Sequence, residues 1–149
     1  MIFFWILELL LAMLPPSIQM EFYLQKHALE NNIPYIYLRR CAELETTYLG
    51  PHQFSYNPFV KSKAGALGPM QVMPSTALRV WKGSNIKNTK YIKHRLQYDI
   101  NFNIATSAKY LRLLYKKHKN WTVVFSIYNQ GTRGQYNINY FARYITKRQ

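Results

Sequence analysis

Six side chains in this 149-residue chain can work as carboxylic acids or bases: Glu8, Glu21, Glu30, Glu43, Glu45 and Asp99. Any proton moved by a carboxylate must pass through one of them. Glu43 and Glu45 are the informative pair. On a helix they lie about 200° apart, so they cannot flank one bond together. Glu43 has Arg39 at i−4 and Arg40 at i−3, neighbours that keep a carboxylate ionised on a solvated face. Glu45 has Cys41 at i−4, Leu38 at i−7 and Tyr48 at i+3, which puts it on the apolar stripe. Desolvation without a local cation raises a carboxyl pKa, as a general acid working near neutral pH requires. A half-buried glutamate bonded to a turn or hydroxyl would look the same, so the helix leaves both readings open.

Other chemistries are poorly supplied. Cys41 is the sole cysteine, which excludes an intramolecular disulfide and a cysteine-based zinc site. His27, His52, His94 and His118 are scattered without metal-ligand spacing, so neither a metal nor another cofactor is expected. Twenty Lys and Arg give a net charge of +14, alongside 48% hydrophobic and 16% aromatic residues. Disordered basic tails lack that apolar content, so one compact domain is expected. The charge calls for an anionic partner: nucleic acid, a phospholipid surface or an anionic cell-wall polymer.

The elements that must position these residues read as helices. Residues 2–14, IFFWILELLLAML, are apolar except for Glu8, and Pro15-Pro16 follows. The run is shorter than the ~20 residues of a membrane span but fits the apolar region of an export signal. Residues 1–20 are therefore read as an export signal or membrane anchor, with a buried N-terminal helix as the alternative, and 21–149 as the working domain. The pattern predicts a helix from a Ser17 N-cap to Asn31-Asn32 and another from Pro34 to about Tyr48. Residues 49–72 hold Gly50, Pro51, Pro58, Gly65, Gly68 and Pro69 and read as an irregular loop. A short helix follows Pro74, and 82–95 reads as a basic polar connection. The longest helix runs from an Asp99 cap to His118, with Ile100, Ile104, Ala108, Leu111 and Tyr115 on its core stripe. Short helices over 121–128 and 139–146 flank a turn-rich NQGTRGQ. No stretch alternates like a strand, so the fold class is all-α, or α with minimal β.

Several of these pieces occur in the order of a known pattern. Glu45-Thr46, Asn57-Pro58 and then SKAGALGPMQVMPSTA from Ser62 to Ala77 resemble the soluble (SLT) type of lytic transglycosylase, with its ES, NP and S-x-x-GA-x-GLMQ-x-MP-x-TA motifs. Asp99-Ile-Asn-Phe-Asn103-Ile104 with Tyr110-Leu111 is similar to that family's D-x-x-x-NI…YL helix. Ser126-Ile-Tyr128-Asn129-Gln130-Gly131 is similar to its AYNAG turn, and Arg143-Tyr144-Ile145 to its closing element. The resemblance spans about residues 30–146. Eleven residues separate Glu45 from Asn57, where the family has about three, and Thr46, Pro69, Ser107 and Gln130 depart from its usual residues.

The resemblance implies a lysozyme-like domain that cleaves the β-1,4 bond between N-acetylmuramic acid and N-acetylglucosamine in peptidoglycan, leaving a 1,6-anhydro end. Glu45 then matches the single catalytic position, and Tyr128 the tyrosine facing it. Ser62, Gly68, Gln71, Met73, Asn129 and Tyr144 match substrate-groove positions, although Gln71 could equally order its loop and Asn129 shape the turn. The acid inventory agrees, because a hydrolase needs a second carboxylate within ~5–9.5 Å, Glu43 points away and Asp99 reads as a helix cap. A hydrolytic muramidase of the same fold is the alternative. A nucleic-acid-binding protein is not expected, since it would have no use for the apolar N-terminus or the GAxGPMQxMPxTA loop. The implied partners are peptidoglycan strands, with anionic membrane or wall polymers and secretion, conjugation or phage machinery as candidates. The implied location is exported, periplasmic or anchored at the envelope, or phage-associated.

Overall fold

The computed structural model describes residues 2–86, 88–131 and 137–148. Among them lie eight helices: α1 (Ile2–Ala12), α2 (Pro16–Glu30), α3 (Tyr35–Thr46), α4 (Pro74–Val80), α5 (Thr89–Tyr98), α6 (Ile100–His118), α7 (Trp121–Gln130) and α8 (Tyr140–Thr146). The only extended pairings among the described residues are isolated antiparallel bridges, Lys61 with Leu67 and Leu67 with Val72. The fold of the described residues is all-α.

α6 is the central post. Ile100, Ile104, Ala108 and Leu111 are buried as the periodicity predicts, and Tyr115 stacks on Trp121 at a centroid distance of 4.2 Å. α2, α4, α5 and α7 pack against α6, while α3 lies against α2 and α8. Caps fix the helix starts: Asp99 accepts from the Phe102 amide at 2.9 Å, Asn120 from Val123 at 3.2 Å and Asn139 from Ala142 at 3.1 Å.

Some sequence expectations need correction. Half of the supposed basic connection is helix: Asn88 caps α5 by accepting from the Tyr91 amide at 3.1 Å, and Ile92 and Leu96 are buried. Surrounding lysines and arginines hid that two-residue apolar stripe. Ser17 is not a cap, since α2 begins at Pro16 and the Ser17 hydroxyl donates to the Pro51 carbonyl at 2.9 Å. α3 stops at Thr46, with Thr47 at φ 58° in the left-handed region, so Tyr48 leaves the helix to be buried against α2. Of the turn NQGTRGQ, residues 132–135 lie outside the described residues. Finally, α1 is not a buried helix: only Leu11 is buried, while Phe3, Phe4, Trp5 and Leu9 are more than 60% exposed. No helix among the described residues is long and apolar enough to cross a membrane.

Candidate active site

The loop from Lys61 to Met73 is held in one shape from several directions. A fully buried Asn103 on α6 is its main anchor. Its amide donates to the carbonyls of Leu67 (2.8 Å) and Leu96 (2.7 Å), and its Oδ1 accepts from the Met70 amide at 3.0 Å. Gly68 sits against this anchor at φ +73°, where a Cβ would collide with the Leu96 carbonyl and the Asn103 amide. Gln71, itself at φ 51°, donates from its side chain to the Gly68 carbonyl at 2.9 Å. Ser62 accepts from the Ala66 amide at 3.0 Å and so closes the preceding turn. Met73 is 38% exposed at the start of α4.

Two helices bring chemistry to this loop. From α3, the Thr46 hydroxyl lies 2.9 Å from the Pro69 carbonyl and 2.7 Å from the Tyr56 hydroxyl. The Thr46 hydroxyl therefore ties the C-terminal end of α3 to the loop. From α7, the Tyr128 hydroxyl donates to the Met70 carbonyl at 2.7 Å and meets Ser107 at 2.9 Å. Burial, followed by the neighbouring Cys41 and Glu45 charges, pushes the Tyr128 phenol well up.

Glu45 stands half-buried at this junction, with no side-chain hydrogen bond from the described residues. Burial pushes its carboxyl up to about 7. The other five acids lie elsewhere or are engaged. Glu21 accepts from Tyr35 at 2.6 Å and Tyr48 at 3.1 Å, and these bonds hold it below the usual range against the opposing effect of burial. Glu30 pairs with His27 at 3.1 Å, Asp99 with Arg95 at 2.7 Å, and Glu8 rides on α1. Glu43 accepts from Tyr144 at 2.7 Å and lies 3.9 Å from Arg39. Arg40 does not help Glu43 as expected: it is buried and donates to the Ile145 and Lys147 carbonyls at the end of α8.

The structure thus gathers Ser62, Gly68, Gln71 and Met73 on one loop, with Glu45 and Tyr128 beside it. Asn129 caps the group at the end of α7, accepting from Asn139 at 2.9 Å. Tyr144 is not brought to Glu45; its hydroxyl is committed to Glu43. Sequence reasoning overlooked Asn103 and Ser107 as supports of the site. The available signal was two small polar residues on the apolar stripe of α6, which must find partners when buried. A concavity of about 450 Å³ runs beside the loop, lined by Met73, Ser75, Thr76, Arg79, Tyr110 and Gln130. Another, of about 300 Å³, lies on its far side and shares Met73. Glu45 lines neither of these two recesses.

Residues 53–143 match the Transglycosylase SLT domain family, and the chain belongs to it. Over 78 residues, 52% of this chain, it is 38% identical to the soluble lytic murein transglycosylases of Salmonella typhimurium strain LT2 and Escherichia coli strain K12. That stretch is 12% of either relative's length. The family match begins at Gln53, after α3 has ended, so Glu45 itself lies outside it.

Proposed function

We propose that the chain is a peptidoglycan lytic transglycosylase in which Glu45 is the single catalytic acid and base. The observation that carries this reading is the acid inventory: Glu45 alone combines burial, a carboxyl held protonated up to about pH 7, and a place beside Tyr128, next to the Thr46 that ties α3 to the loop. Protonated Glu45 donates to the glycosidic oxygen between N-acetylmuramic acid and N-acetylglucosamine, and the bond from C1 to that oxygen breaks. The resulting carboxylate accepts the proton of the muramic C6 hydroxyl as that oxygen bonds to C1. The product carries a 1,6-anhydro ring, Glu45 ends protonated, and no water is consumed. Two-carboxylate hydrolysis lacks its second member, because Glu43 is turned away and Asp99 is occupied by a helix end and Arg95.

Tyr128 stabilises the site through the Met70 carbonyl and by its buried hydroxyl dipole near Glu45. Ser62, Gly68, Gln71, Met73, Asn129 and Tyr144 are the proposed glycan contacts, with Tyr144 offering its ring and not its hydroxyl. The exposed apolar face of α1 supports reading the N-terminal helix of the 1–20 segment as an export signal or envelope anchor, while Ser17 and Met20 of that segment are buried in the domain. Loss of that helix would remove Glu8 and raise the net charge from +14 to +15, favouring anionic envelope polymers. Mass spectrometry of purified peptidoglycan digested by the protein tests the reaction. Muropeptides with 1,6-anhydromuramic ends are expected; reducing ends in their place would establish a muramidase and remove the lyase reading.

A further inference from the structure

The recess of about 300 Å³ on the far side of the loop has a distinct character. One wall is the 61–65 turn, where the bridge to Leu67 sets Lys61 at the edge. The opposite wall is α5, whose Lys93, His94 and Gln97 fall on one face at i, i+1 and i+4 and all line the recess. Met73, Pro74 and Leu67 form an apolar floor. No carboxylate lines it, and Asp99, the acid nearest in sequence to this face of α5, is occupied by Arg95 at 2.7 Å. Two lysines and a histidine therefore line a cleft that has no carboxylate among its lining residues. Met73 is shared with the concavity of Thr76, Arg79 and Tyr110, so it forms a ridge between the two recesses.

A glycan strand crossing that ridge carries peptide stems on alternate sugars, and each stem ends in or bears free carboxylates. We propose that the cleft between the 61–65 turn and α5 is a stem-peptide subsite, in which Lys61 and Lys93 bind stem carboxylate, with His94 and Gln97 as further hydrogen-bonding groups. The apolar floor suits the alanine side chains and methylenes of such a peptide. The inference rests on the glycan-cleaving reading of the groove, but its test does not require turnover.

Binding is measured by calorimetry on the full chain carrying Glu45→Gln. The probe is a soluble muropeptide with free stem carboxylates, compared with the same compound after carboxyl amidation and with the stem-free disaccharide. The stem-bearing form is expected to bind about fivefold or more tightly than either comparison compound, as two partly exposed charge pairs allow. Lys61→Ala combined with Lys93→Ala should abolish that preference and leave disaccharide binding unchanged. Equal affinity for the three ligands, or a loss in the double variant that is the same for all of them, would overturn the subsite. Because free lysines also attract phosphate, inorganic phosphate serves as a competitor: displacement of the stem-bearing ligand at equal concentration would reassign the cleft to phosphodiester polymers. The proposed lyase reading fails separately, if the unmodified enzyme makes no anhydro ends.

Discussion

Two glutamates two residues apart on α3 show how one helix can carry carboxyls in opposite environments. Glu43 faces α8, where the Tyr144 hydroxyl donates to it and Arg39 lies within reach. Glu45 lies toward Tyr128 of α7, where burial desolvates it and no cation offsets that effect. The same side chain is thereby neutralised by partners on one face and left unsatisfied as an anion on the other. What differs is the neighbour, since the helix itself offers both positions the same backbone.

The sharpest way to break this contrast is to remove each carboxyl in turn. Glu45→Gln should lower peptidoglycan cleavage by about a thousandfold or more, as expected for loss of a general acid and base, measured by release of soluble muropeptides. The fold should survive. A folded-state pKa raised from 4.5 to about 7 means stability is fully present below pH 4.5 and is lost as pH rises through about 7. Glu45→Gln removes that loss, so at pH 8 the variant should be more stable to urea by on the order of 1–3 kcal/mol. A parent that is as stable as the variant at pH 8 would mean Glu45 is not desolvated.

The support beneath Glu45 can be attacked next. Gly68→Ala forces a methyl into the Leu96 carbonyl and Asn103 amide at a left-handed backbone position. It should cost about 3 kcal/mol by breaking a buried hydrogen-bonded anchor, read from urea denaturation, with activity falling alongside. An unchanged midpoint would show that the loop can relax away from α6. The pH profile then separates the two glutamates without mutation. Cleavage should decline about tenfold per unit above pH 7 as the Glu45 acid ionises; a flat profile to pH 9 would remove Glu45 as the rate-controlling acid. The smallest effect belongs to the other face. Glu43→Gln should leave activity within about twofold and lower stability only slightly, since its partners are partly exposed. A large activity loss would place Glu43 in the reaction and collapse the contrast.

Much of this site could be read in advance because its parts are local. The Asp99 cap, the α6 stripe and the loop glycines each follow from a few neighbouring residues. Glu45 could be separated from Glu43 by helical phase alone. The long connection of residues 47–56 was illegible, because its path is set by contacts far along the chain. Tyr48 donates to the Ser17 carbonyl at 2.9 Å, Arg39 to the Leu49 carbonyl at 2.6 Å, and Tyr56 meets Thr46 at 2.7 Å. α5 was missed for a related reason: a two-residue apolar stripe among six polar or charged residues and two tyrosines has no signal until α4 and α6 cover it.

The sequence by itself determined the helical class, the six available acids and the one helix face on which a carboxyl could be desolvated. Those follow from periodicity and composition, which need no knowledge of distant partners. The tertiary structure alone decided that Tyr144 bonds Glu43, that Arg40 serves α8 and not Glu43, and that Asn103 and Tyr128 lock the 61–73 loop. Each of these is a hydrogen bond or ion pair between residues far apart in the chain, and only the packing of α3, α6, α7 and α8 brings such groups within bonding distance.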